Sequence, residues 1–131
     1  MAASNPAKVR QAYAALLGGD LDGFLSILHP DAEWHWPRGV ADSRVYRGKE
    51  DIRRGVDTWA EPWSDLRMDA VELIERDENV LALVRYRARG RASGVELDEL
   101  VAHLWEFRAG LVVSMRMFGD VEKAKRRFTD G

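Results

Sequence analysis

The chain contains no cysteine, so it can form no disulfide and offers no thiolate as nucleophile or metal ligand. Nowhere do about eighteen apolar residues follow one another, and Met-Ala-Ala-Ser-Asn-Pro at the start has no charged region leading into an apolar run. Neither a transmembrane helix nor a secretory signal is expected, and the chain reads as cytoplasmic, without a membrane partner. Neither sign of charge dominates. Twenty basic and 22 acidic side chains leave a formal charge of −2, far from the basic excess of a nucleic-acid binder. Arg85, Arg87, Arg89 and Arg91 alternate with Tyr86, Ala88 and Gly90, so they read as the solvated face of a strand, paired with Asp98 and Glu106. No nucleic-acid partner is expected. Nucleotide-binding signatures are missing too. Gly90-Arg91-Ala92-Ser93-Gly94 is Gly-rich but lies between two strand candidates and reads as a hairpin turn. His29, His35 and His103 are the only histidines and lack a spacing such as His-Glu-x-x-His, so no metal or other cofactor is expected.

What is present fits one α+β domain spanning residues 1–131, with residues 1–5 and about 125–131 as flexible tails. Ser4-Asn5-Pro6 is a helix start, Val9, Ala12, Tyr13, Leu16 and Leu17 recur at helical spacing, and Gly18-Gly19 stops the run. Asp20 caps a shorter helix carrying Leu21, Phe24, Leu25 and Leu28, which His29-Pro30-Asp31 ends. Ala32 to Trp36 reads as a short strand, and Lys49 to Ala60 as a helix burying Ile52, Val56 and Trp59. From Leu66 the period changes to two. Strands are expected over Leu66–Arg76, Val80–Arg91, Glu96–Phe107 and Leu111–Phe118, joined by short antiparallel connections, before a short helix from Val121. Helices followed by a meander imply a curved sheet with the helices on one face.

The segment from Glu96 to Asp120 carries the chemistry. Leu97, Glu99, Val101, His103, Trp105 and Phe107 share one face of their strand, and Val113, Met115 and Met117 share one face of the next. His103 is thereby set among aromatic and sulfur-bearing side chains. Imidazole titrates near neutrality and can exchange a proton with a polarised carbonyl. The alternative is a core histidine bonded to a backbone group or a tyrosine. Glu99 shares its parity but lies roughly 13 Å away along the strand, so it faces a ligand or sits at the rim. Trp34 and Trp36 share a face opposite His35, and Trp59 and Trp63 flank Glu61-Pro62, as lids or as core. Tyr13 and Tyr86 each offer a phenol to a ligand oxygen, or to a backbone acceptor. Met115 and Met117 suit an adaptable apolar wall.

Several short motifs recur together: Val9 to Tyr13, Gly18-Gly19-Asp20, His29-Pro30-Asp31-Ala32-Glu33-Trp34, Tyr46-Arg47-Gly48, and Ala102-His103-Leu104-Trp105-Glu106-Phe107-Arg108-Ala109-Gly110. In this order they resemble the SnoaL-like, ketosteroid-isomerase-like branch of the nuclear transport factor 2-like superfamily, over nearly the whole chain. The resemblance implies a cone-shaped α+β barrel, a curved antiparallel sheet wrapped around N-terminal helices, with a deep apolar pocket and a homodimer through the outer sheet face. It also implies sites, residue by residue. The proton-abstracting aspartate of the ketosteroid isomerases falls on Trp36, their oxyanion acid on His103, and their first-helix tyrosine near Ala12, one residue from Tyr13. The last-strand acid of SnoaL-type cyclases falls on Met117, and the Asp-Arg-Asp set of limonene-epoxide hydrolases finds no counterpart. The expected site therefore has His103, Tyr86 and Tyr13 as catalytic groups, with Trp36, Trp63, Glu99, Val101, Trp105, Met115 and Met117 around a small apolar molecule. An isomerase, cyclase or dehydratase and a non-catalytic binding or dimerisation module both fit this pattern.

Overall fold

A computed structural model describes residues 3–35 and 45–130. Its elements run α1 (Asn5–Leu17), α2 (Leu21–Leu25), β1 (Leu28–His35), β2 (Val45–Arg47), α3 (Gly48–Ala60), β3 (Trp63–Arg76), β4 (Asn79–Gly90), β5 (Glu96–Arg108), β6 (Leu111–Phe118) and α4 (Val121–Asp130). Three helix starts follow from their caps. Ser4 accepts from the Ala7 N–H at 3.2 Å, Asp20 from Gly23 at 2.9 Å and Asp120 from Lys123 at 3.0 Å, each pairing a donor that the first helical turn cannot.

Where boundaries depart from the sequence pattern, strand pairing is the cause. The segment His29-Pro30-Asp31 is strand rather than helix end, because Leu28 already pairs with Val112 and the Ile27 carbonyl accepts from the Val112 N–H at 2.9 Å. β3 begins at Trp63 rather than Leu66, since Trp63 pairs with Gly90. β2 is an addition to the expected elements and places Tyr46 beside Trp34. α3 then crosses close over β2. A Cβ on Gly55 would stand 2.9 Å from the Tyr46 ring, so this approach needs a residue without one.

The six strands form one sheet in the order β2-β1-β6-β5-β4-β3, antiparallel except for the parallel β1·β6 pair. Its edges, β2 and β3, do not pair with each other, so the expected barrel is a curved but open sheet. Register shifts in β1, β3 and between β5 and β6 bend it, as bulges do. They also reset which face a residue takes. Val71 is the extra residue of one bulge, so Met68 and Ala70 pack into the main core while Ile74 faces the other way. Val113 is the extra residue of another, which puts Val112 in the core where Val113 was expected.

α1, α2 and α3 contribute Val9, Tyr13, Phe24, Leu25, Ile52 and Val56 to the core on the concave face. α4 takes the convex face, against the expectation of helices on one side only. Its Val121, Ala124 and Phe128 cover Ile74, Leu81, Leu83, Ala102 and Leu104. Residues 125–130 are thus part of a packed amphipathic helix and not a tail. The arginine row is solvated as expected, with Arg85 on Asp98 at 2.8 Å, Arg87 on Asp69 at 2.9 Å and Arg89 on Glu96 at 2.8 Å. Glu106 does not join it. It lies nearer the other end of β5, where it accepts from Ser114 at 2.5 Å and Arg116 at 3.4 Å.

Candidate functional site

Antiparallel register turns the inward residues of adjacent strands into rows. One row is Met68, Tyr86 and Glu99; the next is Ala70, Val84 and Val101; then Leu73, Ala82, His103 and Met117; then Val80, Trp105, Met115 and Trp34. His103 therefore stands between Ala82 and Met117, one small and one pliable neighbour. α1 brings Tyr13 onto this row at His103.

The Tyr13 hydroxyl lies 2.7 Å from His103 Nδ1 and accepts a hydrogen bond from the Trp105 indole N–H at 3.0 Å. All three side chains are buried, and Phe24 from α2 closes on Trp105 edge-on with centroids 6.5 Å apart. Of the two α1 residues it is Tyr13 that reaches His103, while Ala12 is buried without a polar group. Burial without a neighbouring acid pushes His103 down to about 4, so it is neutral at pH 7, and burial raises the Tyr13 phenol far above its ordinary value.

A second aromatic group lies beside the first. Trp34 sits 5.8 Å from Tyr46 and 6.2 Å from Trp59, whose ring in turn lies 5.9 Å from Tyr86. Trp59, from the buried stripe of α3, was not among the expected wall residues, although its helical spacing with Ile52 and Val56 signals burial. Tyr86 is buried, which raises its phenol; the Trp59 side chain opposes that rise and the Glu99 carboxylate across the strand pair adds to it. Four residues of strand separate the Tyr86 row from the His103 row, roughly 13 Å, so the two do not meet.

Among the other expected site residues, Val101 is buried, and Trp63, Met115 and Met117 are half-buried against the same core. Glu99 is exposed, at the solvent end of its row rather than inside, as an unpaired carboxylate prefers. Trp36 lies outside the described residues. His35 turns to the opposite face from Trp34, as its parity requires, and bonds Glu33 at 2.9 Å, while Arg47 reaches the same carboxylate at 3.3 Å. Among the described residues, no cluster of three or more potential metal-ligating side chains forms, and no helix is long and apolar enough to cross a membrane. A groove of about 340 Å³ between α1 and β3 is lined by Arg10, Ala14, Leu17, Met68, Asp69 and Ala70, and reaches Tyr13.

Comparison with known proteins agrees with this architecture. Residues 9–115 match the model of the SnoaL-like domain. No curated protein matches the sequence. Among solved structures, an NTF2-like protein of unknown function from Burkholderia pseudomallei superposes with a TM-score of 0.83 at 24% identity, over 95% of this chain and 97% of that one. TerC co-crystallised with polyporic acid gives 0.80 at 22% identity, over 97% and 98%. A candidate SnoaL-like polyketide cyclase from Jannaschia gives 0.79 at 17% identity, over 93% and 89%. Likenesses at these identities establish the fold.

Proposed function

We propose that this chain, which belongs to the SnoaL-like domain family, holds a small apolar, oxygenated molecule against the concave face of its sheet. His103 hydrogen-bonds the molecule's oxygen, as acid/base or oxyanion donor, in a cofactor-independent isomerisation, cyclisation or dehydration. The observation that carries this reading is a neutral imidazole buried among apolar side chains and held at one nitrogen by Tyr13. Tyr13 pairs only Nδ1, and a buried ring nitrogen left without a partner among the described residues is costly, which points to a ligand at Nε2. Trp63, Val101, Trp105, Met115 and Met117 supply walls, while Trp36, expected at the same wall, lies outside the described residues. Tyr86 offers a second donor. Its separation from His103 suits a ligand of several fused or linked rings, in keeping with the polyketide-cyclase description of one structural neighbour and with the polyporic acid co-crystallised with another.

A non-catalytic binding module is the second reading, favoured by one observation. Among the described residues the buried polar side chains other than tyrosines and tryptophans are His103 and Ser114, and Ser114 is spent on Glu106. Among the described residues no carboxylate bonds His103. A homodimer through the convex face belongs to the proposal as well. Leu100 and Phe118 are exposed there, whereas Leu104 is half covered by the chain's own α4.

Tryptophan fluorescence, read while wild type and His103→Ala are titrated with steroids, polycyclic ketones, hydroxyquinones, epoxides and fatty acids, tests the pocket. Saturable binding of one class, weakened in the variant, supports it; no binding of any class overturns it. Turnover then separates the two readings. An enzyme loses about a hundredfold or more in His103→Ala, as general acid/base groups usually contribute, whereas a binding module shows no turnover to lose.

A further inference from the structure

We infer that the Trp105–Tyr13–His103 chain fixes His103 as the Nε2–H tautomer, so that it presents a donor and the site selects ketone or quinone oxygens over alcohols. The inference rests on the pocket reading above for its ligand, but not for the tautomer. The proton count decides the direction of the chain. An indole N–H can only donate, so Tyr13 accepts from Trp105 at 3.0 Å. The phenol then has one proton of its own, 2.7 Å from Nδ1. If Tyr13 donates to Nδ1, the chain is unbroken and the imidazole proton sits on Nε2, the one donor left over for a ligand. If Nδ1–H donated instead, Tyr13 would accept twice, and its own proton would have no acceptor among the described residues. A buried unpaired hydroxyl is disfavoured by on the order of tenfold or more.

The consequence is a division of labour. Nε2 has no hydrogen-bond partner among the described residues, and the neighbours of His103 in its row, Ala82 and Met117, are apolar. A carbonyl or quinone oxygen accepts the Nε2–H and leaves nothing unpaired. An alcohol can accept the same proton, but its own hydrogen finds no side-chain oxygen or nitrogen on the described row neighbours, Ala82 and Met117. With Nε2 protonated and Nδ1 occupied, His103 is no base. It polarises a carbonyl by donating the Nε2–H to its oxygen, and Tyr13 and Trp105 are positioning residues.

Two measurements on the full chain test this. Long-range proton–nitrogen correlation spectra of the histidine side chains at neutral pH read the tautomer directly. Nε2–H in wild type, giving way to a mixture in Tyr13→Phe, is expected; Nδ1–H in wild type overturns the inference even if ligands bind. Titration with 9-fluorenone and 9-fluorenol reads selectivity. Tighter binding of the ketone by on the order of tenfold, falling toward equality in Tyr13→Phe, supports the donor role, and equal binding by wild type refutes it. If neither probe binds while the Nε2–H signal is present, the pocket reading fails for polycyclic ketones and takes the selectivity with it, while the fixed tautomer stands.

Discussion

Replacing His103 with phenylalanine should change how stability responds to acid. Burial holds the imidazole at about 4 against an ordinary 6.5, a difference worth about 3 kcal/mol at about 1.36 kcal/mol per pK unit. The sign follows from which state takes the proton first. Between pH 6.5 and about 4 the unfolded chain binds a proton at His103 that the folded chain refuses, so unfolding gains as the pH falls. The native advantage is complete above the unfolded value and is lost progressively down to the folded one. His103→Phe has no such group, but it leaves the Tyr13 hydroxyl without its acceptor, which costs about 1–3 kcal/mol at every pH. Wild type should therefore be more stable by that amount near neutrality, and the two should converge or cross by about pH 4. Urea unfolding followed by far-ultraviolet circular dichroism at several pH values measures the difference, and titrations shared by both chains, such as that of Asp98 beside Arg85, cancel in it. A difference that does not change with pH would refute a neutral, buried His103.

Three further outcomes follow from particular contacts. Gly55→Ala places a Cβ 2.9 Å from the Tyr46 ring and should destabilise by about 1–3 kcal/mol, as overpacking does; a melting temperature equal to wild type would show that α3 can lift off β2 without cost. Sedimentation at micromolar concentration should give a dimer, and Leu100→Glu, on the exposed convex face, should give a monomer with unchanged circular dichroism; a wild-type monomer counts against the dimer. Arg85→Ala removes a bidentate but half-exposed pair with Asp98 and should shift the urea midpoint only slightly, since such pairs are worth about 0–1 kcal/mol.

The fold was legible because its elements are locally consistent. Capping residues at Ser4, Asp20 and Asp120 mark helices that form where they stand, and the period-two runs of β4 and β5 survive intact in their pairing. Errors gathered where a distant strand decides. β2 has too few residues to carry a pattern, and it exists because His35, Trp34 and Glu33 offer it an edge. Bulges are invisible to periodicity for the same reason: an inserted residue such as Val113 is defined only by two partners on β5 opposing more than two on β6. After each one the alternation continues correctly but on the wrong face.

The site shows the same division more sharply. Parity on β5 puts His103 and Trp105 on the inner face, since every residue between them and Val101 obeys the period. Parity cannot say what reaches them from another element. On α1 a shift of one residue turns a side chain by about 100°, so the choice between Ala12 and Tyr13 settles whether His103 meets a methyl group or a hydroxyl. Only the packing of α1 onto the His103 row makes that choice, and it converts Trp105 from an apolar wall into the donor at the head of a hydrogen-bonded chain. The chemistry of the imidazole thus depends on two aromatic residues whose sequence signature is the one expected of ordinary core. His103 alone in a strand could be acid, base or filler; with Tyr13 and Trp105 ordered behind it, its free nitrogen carries a proton.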